Sequence, residues 1–542
     1  MLVDLAVSID GRAITDEVEV VSVDVFRGID RIPRATVVFR DGNEALENFP
    51  LASSGTLRPG SEMAIVLTGG ESLAGPTTDA TIFRGPILKI AVNADTAEGL
   101  TTRAEAADEG HVLVQTRRTV GFVDKSDVDV IRKILGDAGL SVGDMPSGAA
   151  KQRQLVQHDA SDWDFIVTRA DAIGHVVVVE DGRLSLKRPA PTGAPLRIEL
   201  GSDEVYATEF ELDGSYQPTA VGAVSWSADE QKLRRKSRAS APSLGQGEID
   251  PERVASRLRH TEELLAHPTA LASSEQQSWA DAVMARRRLS MIRGSVSISG
   301  RADVALLQRV ELVGVSKPFE GSALVCAVRH RVNAGGWRTD LQFGLDPERF
   351  VERVRTEAPR ASGLLPSARD LRIGIVADVE DPQGAHRIKV SLPDAGAQPV
   401  ELWARLATGE AGPERGTLFL PDIGDEVVVG FLGADPRAPV VLGSLFSAKH
   451  AAPTELTPEI RGFVGGSGAA LLRRDADKPM LTLQTPKAQI VLDDEGDTVV
   501  VKDGAGNEVA LGSSGIKVVS AKDLTLEASG KVTIKGAQVE IE

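Results

Sequence analysis

LTLQTPKAQIVLDDEGDTVVVKDGAGNEVALGSSGIKVVSAKDLTLEASGKVTIKGAQVEIE, residues 481–542, repeats one pattern: apolar, any, apolar. The pairs are Leu481/Leu483, Ile490/Leu492, Val499/Val501, Val509/Leu511, Ile516/Val518, Leu524/Leu526, Val532/Ile534 and Val539/Ile541. Residues i and i+2 of a strand share a face, so each segment offers a narrow apolar ridge, and the residue between (Lys517, Thr525, Thr533, Glu540) points away. Gly, Asp and Asn fill the links, as in Asp494-Glu495-Gly496-Asp497 and Asp503-Gly504-Ala505-Gly506-Asn507, and they suit tight turns between strands. Two inward side chains per strand are too few for a core within one chain. The array is therefore expected to bury its ridges against further copies of itself.

The 542 residues suggest three or four domains at roughly 150 residues each. A formal net charge of −17 favours solubility and argues against a nucleic-acid partner, which calls for clustered Lys and Arg. The one basic run, Lys232 to Arg238, lacks stacking aromatics and reads as a solvated loop. Cys326 is the only cysteine, which excludes an intrachain disulfide and a Cys-based zinc site within one chain; its apolar neighbours suggest a buried small hydrophobe. With no signal-peptide pattern and no run of eighteen apolar residues, the expectation is a chain made as a soluble cytoplasmic protein.

Working upstream, residues 1–350 alternate strands with helices. One helix is predicted from Ser126 or Asp127, with Val128, Ile131, Ile134, Leu135 and Ala138 on a stripe and Gly139 as its stop; a second runs from Ser161 to Gly174. Asp181-Gly182 marks a hairpin. A third helix near Glu275 to Ile292 places Trp279, Val283 and Leu289 on one side and most of Arg286-Arg287-Arg288 on the other. Residues 351–370 read as a linker, 371–446 as a compact β block, 447–479 as a second linker and 480–542 as the ridge array.

Within the β block stand GIVADVEDPQGAHRIKVSLP (374–393), ELWARL (401–406) and FLPDIGDEVVVGFLGADPRAPVVLGSL (419–445). The block resembles the OB-fold domain of spike proteins of contractile injection machines: the VgrG family of type VI secretion, the myophage spike and the spikes of phage-tail-like extracellular injection particles. Gly424-Asp425 would turn the chain, Val427, Val429 and Phe431 would alternate into the barrel, and Ala385-His386 departs from a usual glycine. SDWDFIVTRADAIGHVVVVEDGRLSL (161–186) and VRHRVNAGGWRTDLQFG (328–344) are similar to the family's hub. The opening 120 residues look closer to the extracellular particles. The resemblance implies a mainly β protein: a hub of two β-barrel-like domains with helical insertions over 1–350, an OB-fold, and a C-terminal intertwined triple-stranded β-helix. It implies a homotrimer whose core is the sixteen ridge residues above. At roughly 4.8 Å per strand, eight layers give a needle of about 38 Å. It also implies inner-tube and baseplate proteins at the hub, an effector cargo, and a PAAR-type tip protein docked on Val539, Ile541 and Glu542.

No catalytic, metal or cofactor residue is expected. There is no GxSxG elbow, HExxH helix or Walker loop, and the stretch between β block and array is too short for an inserted hydrolase. Paired acids such as Asp493-Asp494-Glu495 and Asp378 to Asp381 suit turns, and the eight histidines are scattered, with His330 suited to a structural role. Two other classes remain open: a cell-wall-degrading spike enzyme, and a secreted calcium-binding β-roll, whose strict nonapeptide period the array lacks.

Overall fold

The computed structural model describes all residues except 1–3, 43–47, 69–79, 96–98, 149, 202–204, 237–238, 241–244, 246, 394–397, 455–456 and 542. Two compact units divide at Ala358/Pro359, inside the stretch read as the first linker.

In the first unit, β-branched and alternating segments assemble into a thirteen-stranded sheet. Its pivot is the long strand Gly321–Asn333. The early part of that strand pairs with Gln308–Val313 (Leu312 opposite Gly321), and its later part with Val20–Gly28 (His330 opposite Val25). The sheet thus serves two apolar cores. One gathers Val25, Val37, Phe39, Met63, Ile65 and Ile87; the other gathers Val296, Leu307, Val310, Leu324, Val328 and Leu341. The two cores are joined through this one shared strand.

The helices follow their end signals. Asp127–Asp137 starts at Ser126, whose hydroxyl accepts from the Asp129 amide at 3.2 Å while the Asp129 carboxylate accepts from the Ser126 amide at 3.2 Å. Asp162–Ala172 starts at Ser161 and is followed by Gly174 at φ +73°. Their apolar stripes (Ile131, Ile134, Leu135, Ile166, Val167) pack on Val177 and Val179 of the hairpin that turns at Asp181-Gly182. No described helix is long and apolar enough to cross a membrane.

Two expectations are corrected. The third helix, Ser273–Leu289, buries Arg286 instead of presenting it to solvent: position 286 follows Trp279 and Val283 on the inward stripe. Its guanidinium donates to Asp171 at 2.8 Å, and Arg349 holds the second Asp171 oxygen at 2.7 Å. The basic run is no loop where described. Lys232–Lys236 is a strand antiparallel to Val221–Ser227, in which Lys232 and Arg234 pair with Glu230 and Arg235 pairs with Glu262. Arg234, with Lys232 beside it, holds the Glu230 carboxyl down at about 2.

The second unit opens with a closed five-stranded barrel in the order Arg372–Asp378, Arg387–Leu392, Val400–Leu406, Pro439–Ser444, Glu426–Phe431. Val376, Val390, Ala404, Val427, Val429 and Val441 fill it, with Phe431 packed alongside. At its first hairpin the Asp381 carboxylate accepts from the amides of Gln383 and Ala385 and from the Arg387 guanidinium at 2.8 Å. That guanidinium holds the Asp381 acid well below the usual carboxylate range. His386 adopts φ +56°, the left-handed conformation that a glycine would take freely. The barrel closes with histidine at this position.

Candidate oligomer interface

Beyond the barrel the chain forms a seven-stranded antiparallel meander: Ile460–Val464, Ala470–Arg474, Met480–Thr485, Ala488–Asp493, Thr498–Asp503, Glu508–Gly512 and Gly515–Val519. Its first two strands lie inside the stretch 447–479 expected to be linker. Gly465-Gly466-Ser467-Gly468 turns between them, with the Gly468 amide bonded to the Gly465 carbonyl.

Register decides what this sheet presents. Leu471 lies opposite Leu483, Leu483 opposite Ile490, Ile490 opposite Val501, Val501 opposite Val509 and Val509 opposite Val518. A second line runs Leu481, Leu492, Val499, Leu511, Ile516. Ridge therefore meets ridge at every strand, and directly opposed residues share a face. The ten ridge residues of the last five strands make two adjacent apolar columns across one face, and the intervening Thr482, Val491, Val500, Ala510 and Lys517 take the other.

Among the described residues no element packs over these columns to bury them. Leu481, Leu483, Ile490, Leu492, Val501, Val509, Leu511, Ile516 and Val518 are 37–74% exposed, and Val499 is half-buried. A trough of about 590 Å³ runs along the first column, lined by Leu483, Ile490, Val501, Val509, Val518 and Leu524. An apolar strip of this extent is unusual on a surface meant for water.

The last three repeat segments differ. Leu524, Leu526, Val532, Ile534, Val539 and Ile541 are all more than half exposed, and no strand is assigned after Val519 among the described residues. Five of the eight expected segments thus form strands with partners in their own chain, and three carry the pattern without one. Glu542, expected with Val539 and Ile541 at the tip, lies outside the described residues.

The other singled-out groups have local partners. The Asp503 carboxylate accepts from the Ala505 and Asn507 amides at 2.9 and 3.0 Å and from the Asn507 side chain at 2.7 Å, which closes its own turn. Asp493 does the same for Glu495 at 2.9 Å. His330 is fully buried with Nδ1 3.2 Å from the Thr339 hydroxyl; burial, reinforced by the Arg27 charge, pushes it down to about 3. Burial pushes the Cys326 thiol up to about 12, and its sulfur lies 2.8 Å from the Gly344 carbonyl. Among the described residues no group of three or more His, Cys, Asp or Glu is placed to hold a metal ion.

Comparison with known proteins places the parts. The family described as the Alg8 N-terminal domain matches residues 1–334, and the type VI secretion system/phage-baseplate injector OB domain matches residues 372–446. The type VI secretion system spike protein VgrG3 of Vibrio cholerae is 32% identical over 142 residues, covering 24% of this chain and 13% of that protein. The spike protein VgrG4b of Pseudomonas aeruginosa is 44% identical over 54 residues, covering 10% of this chain and 7% of its own. The shared stretch is thus a small part of these relatives' lengths. The 43 kDa tail protein of prophage MuSo2 from Shewanella oneidensis aligns with 64% of this chain and 98% of its own, at 9% identity and a TM-score of 0.48. With a matching segment that spans more than half of its residues, and an OB domain similar to that of VgrG spike proteins following it, the chain belongs to the family of the Alg8 N-terminal domain.

Proposed function

We propose that the protein is the hub and spike of a contractile injection system, working as a homotrimer by mechanics and without catalysis. The observation that carries this reading is the pair of in-register apolar columns left uncovered on a single-chain sheet. Three copies, each turning a two-column face inward, close a narrow dry axis. The tail segments 520–541, which have the ridge pattern without strand partners among the described residues, would pair with neighbouring copies in an intertwined β-helix. Both changes satisfy backbone and apolar groups that water otherwise covers. Closed this way, the prism has no open lateral edge, which suits a body that transmits axial force.

In this reading residues 1–350 meet the inner tube and baseplate, and Val539, Ile541 and Glu542 form the end on which a PAAR-type tip docks. An effector cargo is carried with the spike, which is assembled in the cytoplasm and enters a target membrane only by piercing it. The short span between barrel and meander supports a mechanical over an enzymatic role, since residues 447–459 leave no room for an inserted hydrolase. The test is the mass of the purified full chain. Three chains of 57.4 kDa give about 172 kDa, and a species of one chain's mass with an ordered tail would overturn the proposal. Clearing of a peptidoglycan suspension by the pure protein would restore the enzymatic alternative.

A further inference from the structure

Residues 417–423, Thr-Leu-Phe-Leu-Pro-Asp-Ile, form a loop that enters the barrel strand Glu426–Phe431. Leu418 is 92% exposed, and Phe419, Leu420 and Ile423 are 55–65% exposed. Four large apolar side chains in six positions would be a liability on a mobile loop in water. This loop is braced at both ends. The Thr417 amide donates to the Glu410 carbonyl at 2.9 Å and the Thr408 hydroxyl to the Thr417 carbonyl at 2.7 Å. At the far end the Gly424 amide donates to the Val376 carbonyl at 2.8 Å, and the Asp422 amide to the Asp425 carboxylate at 3.0 Å. The barrel thus holds these side chains out in a fixed position.

One contact says what they face. The Phe419 ring stacks on Phe463, with centroids 4.8 Å apart and planes at 24°. Phe463 lies opposite Leu471, and Leu471 opposite Leu483, so Phe463 heads the first apolar column. The first column therefore continues through Leu471 and Phe463 to Phe419 of the loop, while Arg473 and Arg461 stand where the second column would continue. Whatever covers Phe463 and Leu471 must also meet the loop beside them. We infer that the loop 417–423 is an intersubunit clasp, in which Leu418, Leu420 and Ile423 seat against a second copy of this chain and seal the upper end of the shared apolar axis. This rests on the trimer proposed above and adds a barrel contribution to it.

The test replaces Cys326 by Ala, so that one engineered thiol reports, and introduces Leu418→Cys into the full chain; Leu420→Cys serves as a second reporter and Ser514→Cys, in an exposed turn, as the reference. Maleimide labelling is timed on the species whose mass has been measured. The inference expects Leu418→Cys and Leu420→Cys to label at least ten times more slowly than Ser514→Cys, and to match it once urea has separated the chains. Equal rates in a three-chain species would overturn the clasp and leave the needle trimer standing. A one-chain mass would instead overturn the trimer itself.

Discussion

Placing Asp at Ile516 and Val518 tests the apolar columns at their most exposed strand. Ile516 is 74% and Val518 53% exposed in one chain, so roughly two thirds of each side chain remains to be buried by other copies. Full burial of such a side chain contributes about 2 kcal/mol. Two residues in each of three chains, at that fraction, give about 8 kcal/mol of association free energy, or between five and six powers of ten in the dissociation constant. The substitution removes this term and also places six carboxylates beside the axis, each costing several kcal/mol unless it is neutralised. Ile516→Asp/Val518→Asp is therefore expected to run as single chains by light scattering, with the barrel and hub still folded by circular dichroism. Lys517→Ser, between the two on the opposite face, should remain trimeric. A double variant that keeps the mass of three chains at dilute concentration refutes the assignment of these columns to the interface.

Further outcomes concern the hub. Burial raises the Asp30 carboxyl to about 6, against the lowering influence of Arg286 and of the Val177 amide. Its favourable protonated form in the folded state contributes stability that is fully present below about pH 4 and lost as pH rises through 6; the difference is about 3 kcal/mol. Asp30→Asn keeps an acceptor for the Val177 amide, so urea unfolding should show it more stable than the native chain above pH 6. His330, held near 3, acts oppositely: stability present above pH 6.5 falls by about 5 kcal/mol towards pH 3, and His330→Gln should flatten that slope in the same titration. Arg286→Met leaves Asp171 with Arg349 alone and should cost about 2–3 kcal/mol by thermal or urea unfolding, at or below the lower end of the range for broken buried pairs because one partner survives.

Local signals carried much of this structure in the sequence. Ser126, Ser161, Gly139 and Gly174 announced helix ends because caps are settled within a few residues. The i, i+2 pairs announced the columns for the same reason. Arg286 misled because its partners Asp171 and Arg349 are distant in the chain, and a long guanidinium stem packs inward when such partners wait for the charge. The strands Ile460–Val464 and Ala470–Arg474 were readable from Phe463-Val464, the Gly-rich turn and Leu471-Leu472, but their surroundings looked like linker. The tail after Val519 is a different matter: its strand partners belong to other copies in the proposed assembly, so no single chain can display them.

The meander also constrains how the proposed spike changes in evolution. Every turn hands column to column, so extra residues in a turn are harmless, whereas one residue added within a strand would swap the inward and outward sides of everything beyond it in that strand. A further strand reverses the chain's direction, and a further hairpin restores it. Reach should consequently grow in hairpin steps of roughly 10 Å, set by the spacing of neighbouring strands, so that descendants adapted to thicker or thinner envelopes differ by whole duplicated hairpins.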